Sequence, residues 1–259
     1  MFLDENGPNR KIARAKTHLQ EFERLLASYE TSKPIHVRAE IDPERGLHSY
    51  RYVAADPPPE LGLLVGEFLY QVRSALDHAI WLIACSRAES GEAVPGTEFP
   101  VFIEPADRRD NGRNIPGFET TGRKKISGLS DYGQSVIEGM QPYRRGDAAN
   151  GDPLWVLHQL RNLDTHRVIQ PVFGNLHMPR LNGLVRVMGR FLNNGDVFAI
   201  VPSALDPEVN FKPHLRFSVG FPIAGLAGER PPGDVLNEIH EYVRVEVMPQ
   251  LDRLFLIGL

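Results

Sequence analysis

The sequence predicts a mainly α protein with a β section (α+β): a helical bundle of about five helices, a β-hairpin after the first helix, and a small antiparallel sheet before the C-terminal helix. Three observations carry this expectation. Apolar residues recur at three- and four-residue steps over 9–31, 57–90, 153–169 and 234–248. Two runs, "IHVRAEI" and "LHSYRYVAA", flank the turn-forming "DPERG". Beyond residue 172 the period changes, and "LVRVMGRFL", "DVFAIVP" and "FKPHLRFSVGF" alternate like strands. The chain reads as a single domain, 1–259, with the bundle core at 9–31 and 57–170, the hairpin at 34–55, the β section at 172–223 and the C-terminal helix at 234–256.

In the first helix Ile12, Ala15, Leu19, Phe22 and Leu26 form the apolar stripe, Asn9 can cap the start and Pro34 lies just past the end. "DPPPE" at 56–60 opens the longest helix, where prolines cost nothing because the first-turn N–H groups have no helical partner. Its broad apolar face runs from Leu61 and Leu64 through Phe68, Val72 and Leu76 to Ile83. Residues 91–120 read as loop, with one edge strand at "FPVF". Two short helices follow at 121–128 and 130–141, the second ending at "QPY". Asp152-Pro153 is an N-cap followed by proline at the first helical position, and Leu154, Leu157, Leu160 and Leu163 then point inward. "NNGD" is a hairpin-type turn within the β section. The last helix turns Val235, Leu236, Ile239, Val243 and Val247 inward, and Pro249 should kink or end it.

The formal net charge of −4 speaks against a surface that binds polyanions everywhere, though not against a local basic site. Cys85 is the only cysteine, so neither an intrachain disulfide nor a zinc site built on several thiolates can form. No apolar run approaches the length of a membrane span, and the N-terminus lacks a signal-peptide core. A cytoplasmic protein without a membrane partner is the expectation.

Two helical segments share a polar frame. "RSALDH" supplies Arg73, Asp77 and His78; "RNLDTH" supplies Arg161, Asn162, Asp164 and His166. Arg73 and Asp77 are four apart and can pair, while His78 is turned by about 100° from Asp77. His158, Asn162 and His166 lie at four-residue steps on one face. If the two helices pack, their polar borders meet. Such a set can cleave RNA without metal: a histidine takes the 2′-OH proton, a second protonates the leaving 5′-oxygen, and Arg holds the phosphoryl charge. Asp77 or Asp164 would orient an imidazole or hold an Arg. The same residues read equally as a buried clamp that fixes helix register, since buried charges must be paired. A metal site is less economical, because His158 and His166 stand two turns apart, about 12 Å. Trp81 and Trp155, one on each helix, are expected to pack in the core. The reading calls for no cofactor and no metal.

"LYQVRSALDHAIW", "FPVF", "IEGMQPY" and "PLWVLHQLRNLDTHR" together resemble a widespread family of uncharacterised bacterial proteins over most of 60–170, with Thr165 where that family has Lys. That resemblance implies no activity. The Arg-x4-His frame in a helical bundle also resembles the HEPN superfamily, metal-independent RNases of toxin and defence systems. There "RNLDTH" matches the Arg-Asn-x-x-x-His form through Arg161, Asn162 and His166, and "RSALDH" matches more loosely through Arg73 and His78. If the chain is an enzyme, this resemblance implies a metal-independent endoribonuclease acting on RNA, its site formed between the two motifs of one chain or across a homodimer. The β-hairpin and the β-rich stretch at 184–220 depart from a minimal HEPN bundle. The alternative is a non-catalytic interaction or scaffold protein in which the Arg/Asp/His set is a buried structural clamp.

Overall fold

A computed structural model describes residues 7–32, 34–88, 97–166, 172–173, 195–202, 219–220 and 230–258. It is mainly helical with small antiparallel sheets, the α+β class expected. The described residues group into two compact units. One lies within Met1–Phe22, Gly62–Ile169 and Gly233–Leu259; the other lies within Glu23–Leu61 and Gln170–Pro232. The hairpin at 34–55 and the β section at 172–223 both fall in the second unit.

The first unit is built on helices. α1 (Pro8–Thr31) starts one residue before the expected cap, so Asn9 lies inside the helix and Gly7, at φ +107°, precedes it. α2 (Glu60–Arg87) buries its whole predicted face, Leu61 to Ile83. Next come a short hairpin, β3 (Arg108–Asp110) and β4 (Arg113–Ile115), a wide turn at Phe118–Gly122 and the one-turn α3 (Arg123–Lys125). α4 (Asp131–Gly139) is capped by Ser130, whose hydroxyl accepts from the Gly133 N–H. A 3₁₀ stretch (Pro142–Gly151) leads to α5 (Pro153–His166), where the buried Asp152 carboxylate accepts from the Leu154 N–H. Leu154, Leu157 and Leu160 are buried as expected, and Leu163 is half-buried. "FPVF" pairs with no strand and has no regular secondary structure, so the edge strand expected there is absent; the strands of this segment are β3 and β4 instead.

The C-terminal run comprises α6 (Pro232–Tyr242), a π turn (Val243–Val247) and α7 (Met248–Gly258). It lies against α1: Lys16 Nζ donates to Asn237 Oδ1 at 2.9 Å, and buried His240 sets Nε2 3.2 Å from the Ile12 carbonyl. Pro249 does not end the helix. Its ring would crowd the carbonyl four residues back and its nitrogen gives no hydrogen bond. The wide turn immediately upstream, in which the Met248 N–H reaches the Val243 carbonyl, opens the backbone at that place.

In the second unit β1 (Ile35–Asp42) and β2 (Leu47–Ala54) form the predicted hairpin. Asp42 Oδ1 accepts from the Arg45 N–H at 3.1 Å, and Gly46 takes φ +61°, a conformation open to glycine at little cost. After β5 (Val172–Phe173), β6 (Val197–Pro202) adds to β2, so hairpin and β section share one sheet in the order β1-β2-β6. β7 (Val219–Gly220) pairs with β5. The strand expected at "LVRVMGRFL" and most of "FKPHLRFSVGF" lie outside the described residues.

Candidate functional site

α2 and α5 touch, and they run antiparallel. A Cβ on Gly66 would sit 2.7 Å from Asp164 Oδ1, the Arg161 guanidinium lies 5.9 Å from the Tyr70 ring centre, and the Arg73 charge bears on His158. Position rises along α2 as it falls along α5. The missing side chain of Gly66 is what lets Asp164 approach. The two Arg segments therefore border one polar seam, and its charges are matched. Arg73 pairs with Asp77 at 2.8 Å, Arg161 with Asp164 at 3.3 Å, and Lys125 with Glu98 at 2.7 Å.

Arg73 and Asp77 do more than pair. Arg73 Nη2 donates to the Phe99 carbonyl at 2.5 Å, and the Phe99 N–H donates to Asp77 Oδ1 at 2.9 Å. One backbone residue is thus gripped by its carbonyl and its N–H together. One and three residues on, at Pro100 and Phe102, Gln141 makes a similar grip. Its Oε1 accepts from the Phe102 N–H at 3.0 Å, and its Nε2 donates to the Pro100 carbonyl at 3.0 Å and the Ile137 carbonyl at 3.1 Å. The Glu98 N–H donates to the Lys125 carbonyl at 2.9 Å. "RSALDH", "FPVF" and "QPY" are three parts of one device, in which a segment without strand partners has backbone groups satisfied by side chains instead. Phe99 is thereby driven fully into the core. Burial pushes the Asp77 carboxyl up from the usual aspartate range, against the opposing pull of Arg73 and the Phe99 N–H.

His78 does not join this seam. The 100° step from Asp77 turns it toward α1, where its ring edge meets Gly7: a Cβ there would lie 3.0 Å from Cε1. Its Nδ1 is sealed from solvent without a hydrogen-bond partner among the described residues. Burial, then the charge of Lys11, lowers its pKa from the ordinary histidine value. Lys11 itself donates to Ser74. Trp81 stands against the His78 ring at 5.7 Å and is largely exposed, so the core position expected of it is not observed; Trp155 is half-buried.

The histidine that does lie at the seam is His158. It stacks on Trp155 at 5.4 Å, and its Nε2 is 3.0 Å from Asn162 Nδ2. An amide nitrogen donates, so Nε2 accepts and the ring is neutral. Burial, then the Arg73 and Lys125 charges, takes its pKa down to about 4. Asn162 is thus engaged within its own helix. Burial raises the Asp164 pKa against the pull of Arg161. His166 closes α5, and its side chain lies outside the described residues. Of the seven predicted residues, the structure brings Arg73, Asp77, Arg161 and Asp164 to one seam, with Asn162 one helical turn from His158, and sends His78 to the other flank. Gln141 and the Phe99 backbone were missed. The one signal in the sequence is the presence of "FPVF" and "QPY" among the motifs of the family resemblance.

Among the described residues no group of three or more His, Cys, Asp or Glu side chains could hold a metal ion, and no helix is long and apolar enough to cross a membrane. No protein-family model, curated protein or solved structure matches the chain.

Proposed function

We infer that the chain is a non-catalytic interaction protein in which the Arg/Asp pairs of the set work as a structural clamp. The observation that carries this is the double grip of Arg73 and Asp77 on the Phe99 backbone. Both side chains are engaged: Arg73 commits Nε and Nη2 to Asp77 and the Phe99 carbonyl. Two further features support it. The seam pairs each of its three cations with a carboxylate, so it offers no basic groove. His158, the seam histidine among the described side chains, is neutral, with a pKa far below the value a general base or acid needs near pH 7. The single cysteine fits a reducing cytoplasm.

A second reading, RNA cleavage, draws on one observation: the two Arg segments border the same seam, with His166 ending α5. One experiment separates the two. Purified protein is incubated with RNA in EDTA beside Arg161→Ala and the His78→Ala/His166→Ala double variant. The clamp reading expects intact RNA in every lane. Cleavage by the wild type that the variants lose, yielding 2′,3′-cyclic phosphate ends, overturns it.

A further inference from the structure

We propose that the groove between α4 and the C-terminal helical run binds an acidic, apolar peptide segment of a partner protein; the proposal rests on the interaction reading and names the surface that performs it. The groove has two connected parts that share Val136 and Gln250. The first, about 290 Å³, is walled by Tyr132, Leu254, Leu256 and Ile257. Tyr132, Leu256 and Ile257 are all strongly exposed, a concentration of bare apolar surface unusual for a chain acting alone. The second, about 390 Å³, is bordered by Arg144, Arg145, Tyr242 and Glu246.

The charge of the second part is directional. Arg144 and Arg145 are 53% and 51% exposed, whereas the carboxylates that hold them, Glu138 and Asp152, are 17% and 0% exposed. Solvent meets the two guanidiniums with their own carboxylates beneath, and Glu246 is the exposed carboxylate on the border. Glu138 also carries Arg123 at 2.6 Å, so two arginines share one carboxylate. Each groove arginine is braced by a ring as well. Arg144 lies 5.2 Å from the Tyr143 ring centre, and Arg145 lies 5.7 Å from that of Tyr242 while donating to its hydroxyl at 2.8 Å. Planar forks fixed in this way match carboxylates and lose little freedom on binding. A segment with bulky apolar side chains for one end and carboxylates for the other complements both halves.

Four fluorescein-labelled octapeptides, with two leucines separated from two aspartates by zero to three serines, are titrated by anisotropy. Their Asp→Asn and Leu→Ser counterparts serve as controls. At least one aspartate peptide should bind, about ten-fold or more tighter than either control. Arg144→Gln and Ile257→Ser should each weaken it about ten-fold, and added salt should weaken it further. Arg145→Lys keeps Asp152 paired and serves where Arg145→Gln does not fold. No binding, equal binding of the controls, or indifference to Arg144 and Ile257 overturns the proposal. So does a wild-type dimer that these variants dissolve, because a second copy then occupies the face. The same preparations go through the RNA assay. RNA cleavage defeats the interaction reading itself, whereas intact RNA with unselective peptides defeats only the groove.

Discussion

The α2–α5 seam and the α4–C-terminal groove both display arginines, yet they use them in opposite senses. At the seam Arg73 is 17% exposed and donates to both Asp77 and the Phe99 carbonyl, so its hydrogen-bonding capacity is turned inward. At the groove Arg144 and Arg145 rest on covered carboxylates and tyrosine rings and turn their free edges outward. A motif of chemically rich residues is therefore no guide to function until the destination of each hydrogen bond is known. On the clamp reading proposed above, the motif with a catalytic look serves the fold, and "YRRGD" presents charge.

The contrast can be broken at several points. The largest effect is expected from Gln141→Leu. It strands the Phe102 N–H and the Pro100 carbonyl in a site closed to water, whereas the Ile137 carbonyl keeps the Met140 N–H. At roughly 1–3 kcal/mol per orphaned group the cost should be about 4 kcal/mol, read as a lower urea midpoint. Asp77→Ala leaves Arg73 and the Phe99 N–H without their acceptor and should cost about 3 kcal/mol. If it costs less than about 0.5 kcal/mol, the clamp is not structural and the seam is again open to a functional reading.

Acid should act on the seam through His158. The folded pKa of His158, about 4, lies below the unfolded histidine value of about 6.5, so the native state binds fewer protons between these values. The contribution is complete above pH 6.5 and is lost as pH falls toward 4. The shift sets a ceiling of about 3 kcal/mol, and water reaching the half-buried ring trims this to about 2. His158→Gln should flatten that part of the stability profile; an unchanged profile would show that the ring titrates as if exposed. The smallest effects belong to the groove. Arg144→Gln and Ile257→Ser should each move stability by less than about 0.5 kcal/mol, as exposed positions do. A loss several times larger in thermal unfolding would mean that the groove, too, is structural.

What was legible in the sequence follows from how local each cause is. The apolar face of α2 declares itself by spacing, and every residue predicted from Leu61 to Ile83 is buried. The hairpin was readable because Asp42 and Gly46 fix its turn within a few residues. The i,i+4 pairing of Arg73 with Asp77 was readable for the same reason. Their joint partner was not, because Phe99 lies 22 residues from Asp77 along the chain and arrives only when an unpaired segment packs back. The separation of His78 from Asp77 was implicit in the helical step, but that α1 would receive it depends on the packing of Gly7, which carries no periodic signal. The groove was invisible for a different reason. Its cationic half hangs on a 3₁₀ stretch and a π turn, and neither has a spacing to read.

The π turn at Val243–Val247 has a consequence for how the C-terminal run counts residues. Ile239, Val243, Val247, Leu251 and Phe255 are all buried, at strict intervals of four. On an ordinary helix such a series would creep about 40° around the axis at each step and leave the core within a few turns. A turn that closes after five residues instead of four absorbs the creep. The same correction keeps a second file straight beside the first: Tyr242, Glu246, Gln250 and Leu254, offset by one residue, all line the groove. One widened turn lets a single helical run keep two parallel rulers, one in the core and one along the groove. Removing one residue from it would slide both out of alignment together.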